Sequence, residues 1–384
     1  MPHTLQNSLK IAYLAEIRED YKAHGYSNEE CSELNSYDTG SGIISSLEEL
    51  GHTVERVGDI KSLVKRLAQA EDGCAPWDLV FNDTSGFFGS AREAQVPGLL
   101  EAYNIPFTFS DASTFATCLN KGLTKMTLDF HGVPTAPFAI VSNDSVKGNG
   151  FPEEALAAIR SSKYASEILD SFPLFAKPAS EGTSKGIDPS SKIHSLRDLE
   201  PTIDGLRSKY PGQDILIEPF LKGREFTVGI AGTGNKARVI GILETCWNKR
   251  APAILDPGTA HLNVADSQLD LCDFFTYELK EKWGKLKSQP IEICPDPNDP
   301  EVKSACESAL RAWQIMKCRD LGRIDVRSSE FGPKAVPYVI EVNPLAGLVP
   351  EVSSLAVIAQ NAGIPYTKLL ETVIESARER IAVA

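Results

Sequence analysis

Apolar runs bounded by turn residues predict strands at Ile11–Ala15, Thr53–Val57, Leu79–Phe81 and Pro106–Phe109, the first opening at Lys10. Between them, apolar positions at helical spacing predict helices at Ser41–Leu50, closed by Gly51, at Ile60–Ala70 and at Ala94–Tyr103. Strand and helix alternating over residues 10–110 imply a parallel sheet with helices on both faces, an α/β unit. Such sheets bind ligands at the carboxyl ends of their strands. Those ends carry Glu16, Asn82-Asp83 and Ser110-Asp111.

Further along the chain the pattern changes. Thr114–His131 reads as one helix holding Lys121 and Lys125, broken by Gly132-Val133-Pro134 before a strand at Phe138–Val141. Val146–Asp170 is polar and Gly-bearing first, then helical. Strands follow at Phe172–Lys177, Ile215–Glu218 and Glu225–Ala231. Residues 247–274, with Pro252, Pro257 and Gly258, have weak periodicity; an irregular stretch that long is a lid or a disordered insertion. Residues 299–320 and 353–383 read as helices. Near the end, two strand-like segments, Gly322–Arg327 and Tyr338–Pro344, flank a turn-rich stretch and predict a hairpin. Period-two alternation puts Arg323, Asp325 and Arg327 on one face of the first, and Val339, Glu341 and Asn343 on one face of the second.

At 384 residues the chain is too long for one ordinary core, so two or three domains are expected. Its 39 basic against 52 acidic residues give a net charge of −13, which argues against nucleic acid as a main partner. An anionic ligand must then be held by local positive charge. The eight Cys are scattered and form no CxxC, so a zinc site is not expected and reduced thiols are. No apolar run reaches membrane-spanning length and no charged-then-apolar leader opens the chain. The expectation is a cytoplasmic protein without a membrane partner.

Several motifs carry chemistry. In the predicted hairpin, Asp325, Glu341 and Asn343 converge as hard oxygen donors with the Arg323 guanidinium beside them. Mg²⁺ on nucleotide phosphates needs such a set, the remaining ligands coming from phosphate and water. The plain alternative is an acidic hairpin edge with a surface ion pair. Lys177-Pro178 leads into Glu181-Gly182-Thr183-Ser184-Lys185-Gly186, where backbone N–H groups and the two hydroxyls can grip phosphate. It lacks Walker A spacing, and a lone Gly-rich loop is more often an ordinary turn. In Glu218-Pro219-Phe220-Leu221, the Glu218 carboxylate and nearby backbone can read the edge of adenine while Phe220 and Leu221 cover its face; Glu225 is placed for ribose hydroxyls. A surface hairpin is the alternative there. Lys121 can reach a phosphate from its helix, although a solvated lysine is the commoner role. Thr39-Gly40-Ser41-Gly42 opens a predicted helix, where N-capping by Ser41 is more common than anion binding.

Taken together and in order, these segments resemble the ATP-grasp superfamily, specifically its D-alanine:D-alanine ligase-like branch. The resemblance runs from about residue 79 to about residue 370 and rests on Phe81-Asn82, Asn120-Lys121, Lys177-Pro178, Gly223–Val228, Gly322–Asp325 and Glu341-Val342-Asn343-Pro344 with Gly347 beyond. It implies a three-domain α/β fold: an N-terminal substrate domain at 1–112, then two α+β subdomains at 113–217 and 218–384 that clamp ATP, with a lid around 245–290. It implies that Lys121 and Lys177 hold phosphates, that Glu181, Thr183 and Ser184 also bind ATP, that Glu218, Phe220, Leu221 and Glu225 hold the nucleoside, and that Asp325, Glu341 and Asn343 bind two Mg²⁺, with Mn²⁺ an acceptable substitute. Arg323 and the Gly347 N–H would steady the acyl phosphate and oxyanion. Thr276–Lys280 resembles the lid segment that brings Lys280 to the γ-phosphate. Phe275 stands where D-alanine ligases carry a tyrosine, and Glu33 or Glu16 is left as the anchor for the first substrate's ammonium.

The activity implied is ATP-dependent carboxylate–amine ligation through an acyl phosphate, joining amino-acid-like molecules, with ADP and phosphate as products. A homodimer is compatible with it. Two rivals stand beside this reading: a non-catalytic nucleotide-binding protein of the same fold, and a nicotinamide-dependent dehydrogenase, which the missing dinucleotide loop disfavours.

Overall fold

The computed structural model describes residues 8–69, 76–143, 154–247, 273–281 and 291–381. Most of the expected lid around 245–290, including residues 248–272 and 282–290, lies outside them, as does the start of the stretch expected at Val146–Asp170.

The first unit runs β1 (Lys10–Leu14), α1 (Arg18–Ala23), α2 (Tyr37–Glu49), β2 (Thr53–Gly58), α3 (Ile60–Ala68), β3 (Leu79–Asn82) and α4 (Gln95–Ala102). Its three strands are parallel in the order β2-β1-β3, as the alternation predicted. The central β1 is buried on both faces, so it reads as a continuous apolar run. Ile11 and Tyr13 pack with Ile43 and Leu47 of α2 on one side. Ala12 and Leu14 pack with Leu63 and Leu67 of α3 on the other. Pro106–Phe109, expected as a fourth strand, makes only one bridge, Val80 to Phe107. The chain turns away because Phe109 adopts a φ of 68° and gives its N–H to Asp320.

The middle stretch runs α5 (Ala112–Leu119), α6 (Lys121–Phe130), β4 (Ala139–Val141), α7 (Glu154–Ser161), α8 (Ala165–Leu169), β5 (Leu174–Pro178), β6 (Lys192–Ile193), α9 (Leu196–Lys209) and β7 (Ile215–Pro219). Its antiparallel sheet has the order β4-β7-β5-β6. β7 crosses the boundary expected after residue 217 and belongs wholly to this sheet. The single helix expected over 114–131 is two, broken at Asn120. Asn120 has an extended ψ of 102°, and its side chain caps Leu123 N–H. The Lys121 N–H is left to bond Ala179 O at 2.8 Å, which ties α6 to the end of β5.

The last stretch runs β8 (Glu225–Ala231), β9 (Arg238–Cys246), α10 (Tyr277–Glu281), β10 (Ile291–Ile293), α11 (Pro300–Ile315), β11 (Leu321–Ser328), β12 (Pro337–Asn343), α12 (Ser354–Asn361) and α13 (Tyr366–Ile381). Its sheet is antiparallel throughout, in the order β10-β9-β8-β11-β12. α11 lays Ala305, Ala309 and Trp313 on Val228, Ile324 and Val326, and Cys118, Leu128 and Val133 from the preceding stretch join that core. The opposite face meets α12, where Gly229 and Gly241 pair across β8 and β9. A Cβ on Gly241 would lie 2.8 Å from Ile358 Cγ2, so only glycine lets the helix come this close. The helix expected over 353–383 is interrupted at Gly363-Ile364-Pro365. α13 turns back, and its Leu369, Leu370 and Val373 complete the core of the first unit beside Ile11 and Tyr13.

Two carboxyls are buried where the parallel strands end. Asp83 accepts from the Tyr13 hydroxyl at 2.8 Å, and burial pushes its carboxyl up to about 7. Glu16 accepts from Gly86 N–H and is likewise raised by burial to about 7. A raised carboxyl is neutral in the fold while already ionised in the unfolded chain, so stability falls as pH climbs from about 4 to about 7. Asp83→Asn keeps an acceptor for Tyr13 and removes one titration. In urea unfolding at pH 5 and pH 8, the variant is expected to lose roughly 2 kcal/mol less than the wild type over that interval.

Candidate active site

The four-stranded and five-stranded sheets face each other across a cavity of about 470 Å³. One wall is the β11–β12 hairpin. Its register pairs Asp325 with Glu341 and Arg323 with Asn343. A bulge between Asp325 and Val326 shifts the register there, so Val339 pairs Val326 and enters the core, while Ile340 joins Glu341 in the cavity wall. Strict alternation had put Val339 on the face of Glu341; the bulge reverses that placement.

The hairpin's charges are closely matched. Asp325 accepts from Thr227 Oγ1 at 3.1 Å, from Arg323 Nε at 3.3 Å and from Asn343 Nδ2 at 3.1 Å. Lys121, aimed by the break at Asn120, reaches Glu341 Oε1 at 2.9 Å. Burial opposes the charge on Glu341, but Lys121, with Arg323 and Lys280 nearby, holds its carboxyl down to about 2.

The loop after β5 folds tightly. Thr183 and Ser184 both take positive φ, at 48° and 61°, which non-glycine residues adopt at a cost of about 1 kcal/mol or more. Gly186 follows at 74°. The loop is anchored from the first unit. Glu33 accepts from Gly182 N–H at 2.8 Å, contacts Lys185 at 3.1 Å and receives two guanidinium nitrogens of Arg92. Arg92 also donates to Ser180 O at 2.9 Å, and Lys185 reaches Glu181 at 2.5 Å. All four charged side chains are nearly buried, and two cations balance two anions. The first turn of α10 docks here through Tyr277 N–H on Ile187 O, and this places Lys280 in the cavity lining.

The far end of the cavity is aromatic. Phe175, Phe220 and Phe274 form one cluster. Glu218 stands beside it, 2.7 Å from Lys177 and 2.9 Å from Lys125. Burial opposes its charge as well, and these two cations bring its carboxyl to about 2. Glu225 is held by Arg327 at 2.8 Å and by the Trp247 ring N–H at 3.2 Å.

The cavity wall therefore gathers Lys121, Lys177, Glu181, Thr183, Ser184, Glu218, Phe220, Leu221, Glu225, Lys280, Arg323, Asp325 and Glu341. Asn343 and Gly347 do not line it: Asn343 is turned to Asp325, and Gly347 lies in an exposed loop pinned by Ser353 Oγ on Val349 N–H. Neither proposed ammonium anchor lines it either. Glu33 is spent on Arg92, Lys185 and Gly182, and Glu16 is buried at the end of β1. Thr39–Gly42 is inside α2, whose cap is Ser36, so that motif offers no helix start. Sequence reading missed Glu292 and Thr245, which face the cavity from β10 and β9 as direct cross-strand partners. Both strands are short or weakly alternating, and no local signal marks them.

A family model described as "D-ala D-ala ligase C-terminus" matches residues 128–375, more than half of the chain. The chain is 28% identical over 365 residues to a D-alanine–D-alanine ligase of Erythrobacter litoralis, covering 93% of this chain and 92% of that one. It is 27% identical over 358 residues to a ligase of the same name from Rhizorhabdus wittichii, covering 92% and 94%. In fold it is similar to a D-alanine–D-alanine ligase of Bacillus anthracis, with a TM-score of 0.66 at 21% identity over 98% of this chain and 100% of that one. A second structure of that enzyme, complexed with ATP, gives 0.65 at 20% identity over the same shares of the two chains.

Glu33→Ala would leave Arg92 and Lys185 short of a buried counter-charge. Urea unfolding is expected to show a loss of about 3 kcal/mol. Replacing both members of the pair, with Glu33→Leu and Arg92→Met, is expected to cost less than the single change.

Proposed function

The chain belongs to the family of the D-ala D-ala ligase C-terminus, and from that premise we propose that this cavity joins two amino-acid-like substrates through an amide bond at the expense of ATP. The observation that carries the reading is the clustering of Lys121, Lys280 and Arg323 around the Asp325–Glu341 pair, with Lys177 at Glu218 in the same cavity. A donor carboxylate oxygen attacks the γ-phosphorus and ADP leaves; the acceptor amine then attacks the acyl carbon, phosphate leaves, and the amine gives up its proton. Phosphoryl transfer depends on positioning and on neutralising charge, which fixed cations supply. In this reading Lys121, Lys177 and the 181–184 loop hold the phosphates, and Lys280 meets the γ-phosphate. Arg323 steadies the acyl phosphate. Glu218, Phe220, Leu221 and Glu225 take the nucleoside. The exposed Gly347 N–H would serve the oxyanion only if its loop moves inward.

The residues also fit a divalent metal. Asp325 and Glu341 are hard donors paired across the hairpin, and Asn343 is beside them. Among the described residues no three His, Cys, Asp or Glu side chains form a metal cluster. Two carboxylates without a third suit Mg²⁺ that arrives with the phosphates. When bound, the metal would offset phosphate charge during transfer. Glu33 is engaged by Arg92, Lys185 and Gly182 and Glu16 is buried at the end of β1, so neither faces the cavity to meet a substrate ammonium. That leaves the identity of the donor to a screen: amino-acid pairs followed by ADP release and product mass. ADP release with no pair would reject the ligase reading.

Asp325→Ala is expected to lower ATP turnover at least about a hundredfold, with the thermal transition retained. Full turnover in that variant would remove Asp325 from the chemistry. Arg323→Ala is expected to keep ATP affinity within a few-fold while amide product falls by a similar factor, as read by calorimetry and product mass.

A further inference from the structure

Lys125 lies behind the cavity wall. It sits on α6 one turn beyond Lys121, is 1% exposed, and is not part of the cavity lining. Its ammonium meets three oxygens: Thr135 Oγ1 at 2.9 Å, Ala136 O at 3.2 Å and Glu218 Oε2 at 2.9 Å. An ammonium has three N–H bonds, so this one is held from all sides. Thr135 in turn donates to Val339 O at 3.2 Å, which links the group to β12.

Glu218 faces two cations that differ in reach. Lys177, on β5, lines the cavity and meets Oε1 at 2.7 Å. Lys125 meets Oε2 at 2.9 Å on the buried side of the carboxylate. Burial lowers the Lys125 pKa and Lys177 adds to that, while Glu218 and, one turn further along α6, Asp129 work against the shift. In the reading above, a bound triphosphate draws Lys177 toward itself. Lys125 has no route to the ligand and stays with Glu218.

We propose that Lys125 is a positioning residue that keeps Glu218 a charged, acceptor-only carboxylate, and thereby makes the cavity select a 6-amino purine over a 6-oxo purine. An ionised carboxylate accepts from an exocyclic amine and repels an exocyclic carbonyl. A protonated carboxyl can donate, and the distinction weakens. This inference rests on the nucleotide reading of the cavity.

The test is calorimetric affinity for ATP and for inosine triphosphate, with Mg²⁺, on both sides of neutral pH. The wild type is expected to prefer ATP by a factor that does not change with pH. Lys125→Met, similar in length and uncharged, is expected to cut that preference about tenfold. Its ATP affinity is expected to weaken as pH falls while inosine triphosphate affinity does not. A purely structural role would weaken both nucleotides alike at every pH, and an unchanged, flat preference in folded Lys125→Met overturns the proposal. The wild type alone offers a second check: a preference that fades as pH falls through neutrality also overturns it. Wild-type protein that binds both nucleotides equally defeats this inference, whereas protein that binds neither defeats the nucleotide reading beneath it.

Discussion

Pairing of cations with carboxylates inside one cavity governs the rest of this structure. The chain carries a net charge of −13, so its overall field repels a polyanion, and any attraction must come from cations fixed locally. Lys121, Lys177, Arg323 and Arg327 face the cavity, and each stands against a carboxylate: Glu341, Glu218, Asp325 and Glu225. These pairs keep the cations ordered, and hold Glu218 and Glu341 ionised, in a partly dry space where a lone charge would be expensive. An incoming polyphosphate would exchange partners rather than meet bare charges, which reduces the reorganisation that binding requires.

That pairing is produced by backbone details remote from any one motif. The break at Asn120 turns Lys121 toward Glu341, and its N–H bond to Ala179 fixes α6 to the loop that follows β5. The bulge beside Asp325 sets which side chains of β12 face inward. The first unit reaches across through Glu33 and Arg92 to hold the same loop. Three parts of the chain thus converge on one tight turn, whose left-handed residues would be unfavourable if left to themselves.

Much of this was legible in the sequence where chemistry and periodicity coincide. Arg323-Ile324-Asp325 and Glu341-Val342-Asn343 announced a hairpin because alternation and hard donors agree there, and the pairing Asp325–Glu341 follows. The parallel sheet of the first unit was likewise visible in its βα rhythm. The rest depends on contacts between distant residues. Helical spacing runs unbroken across Leu119-Asn120-Lys121, and only a tertiary bond to Ala179 shows why it stops. Lys125 looks like any helical lysine until β7 brings Glu218 to it. Glu33 reads as a free carboxylate until Arg92 and Lys185 close on it. A one-residue bulge leaves no compositional trace, so Val339 was assigned the wrong face.

The return of α13 to the first sheet has a consequence for synthesis. Ile11 and Tyr13 are covered in part by Leu369, Leu370 and Val373, which emerge from the ribosome long after them. Until then one flank of the nascent sheet stays bare and greasy, open to chaperones or to neighbouring chains. The segment that finishes this layer is made well after the layer itself, so maturation of the sheet is tied to a later docking event rather than to stepwise completion along the chain.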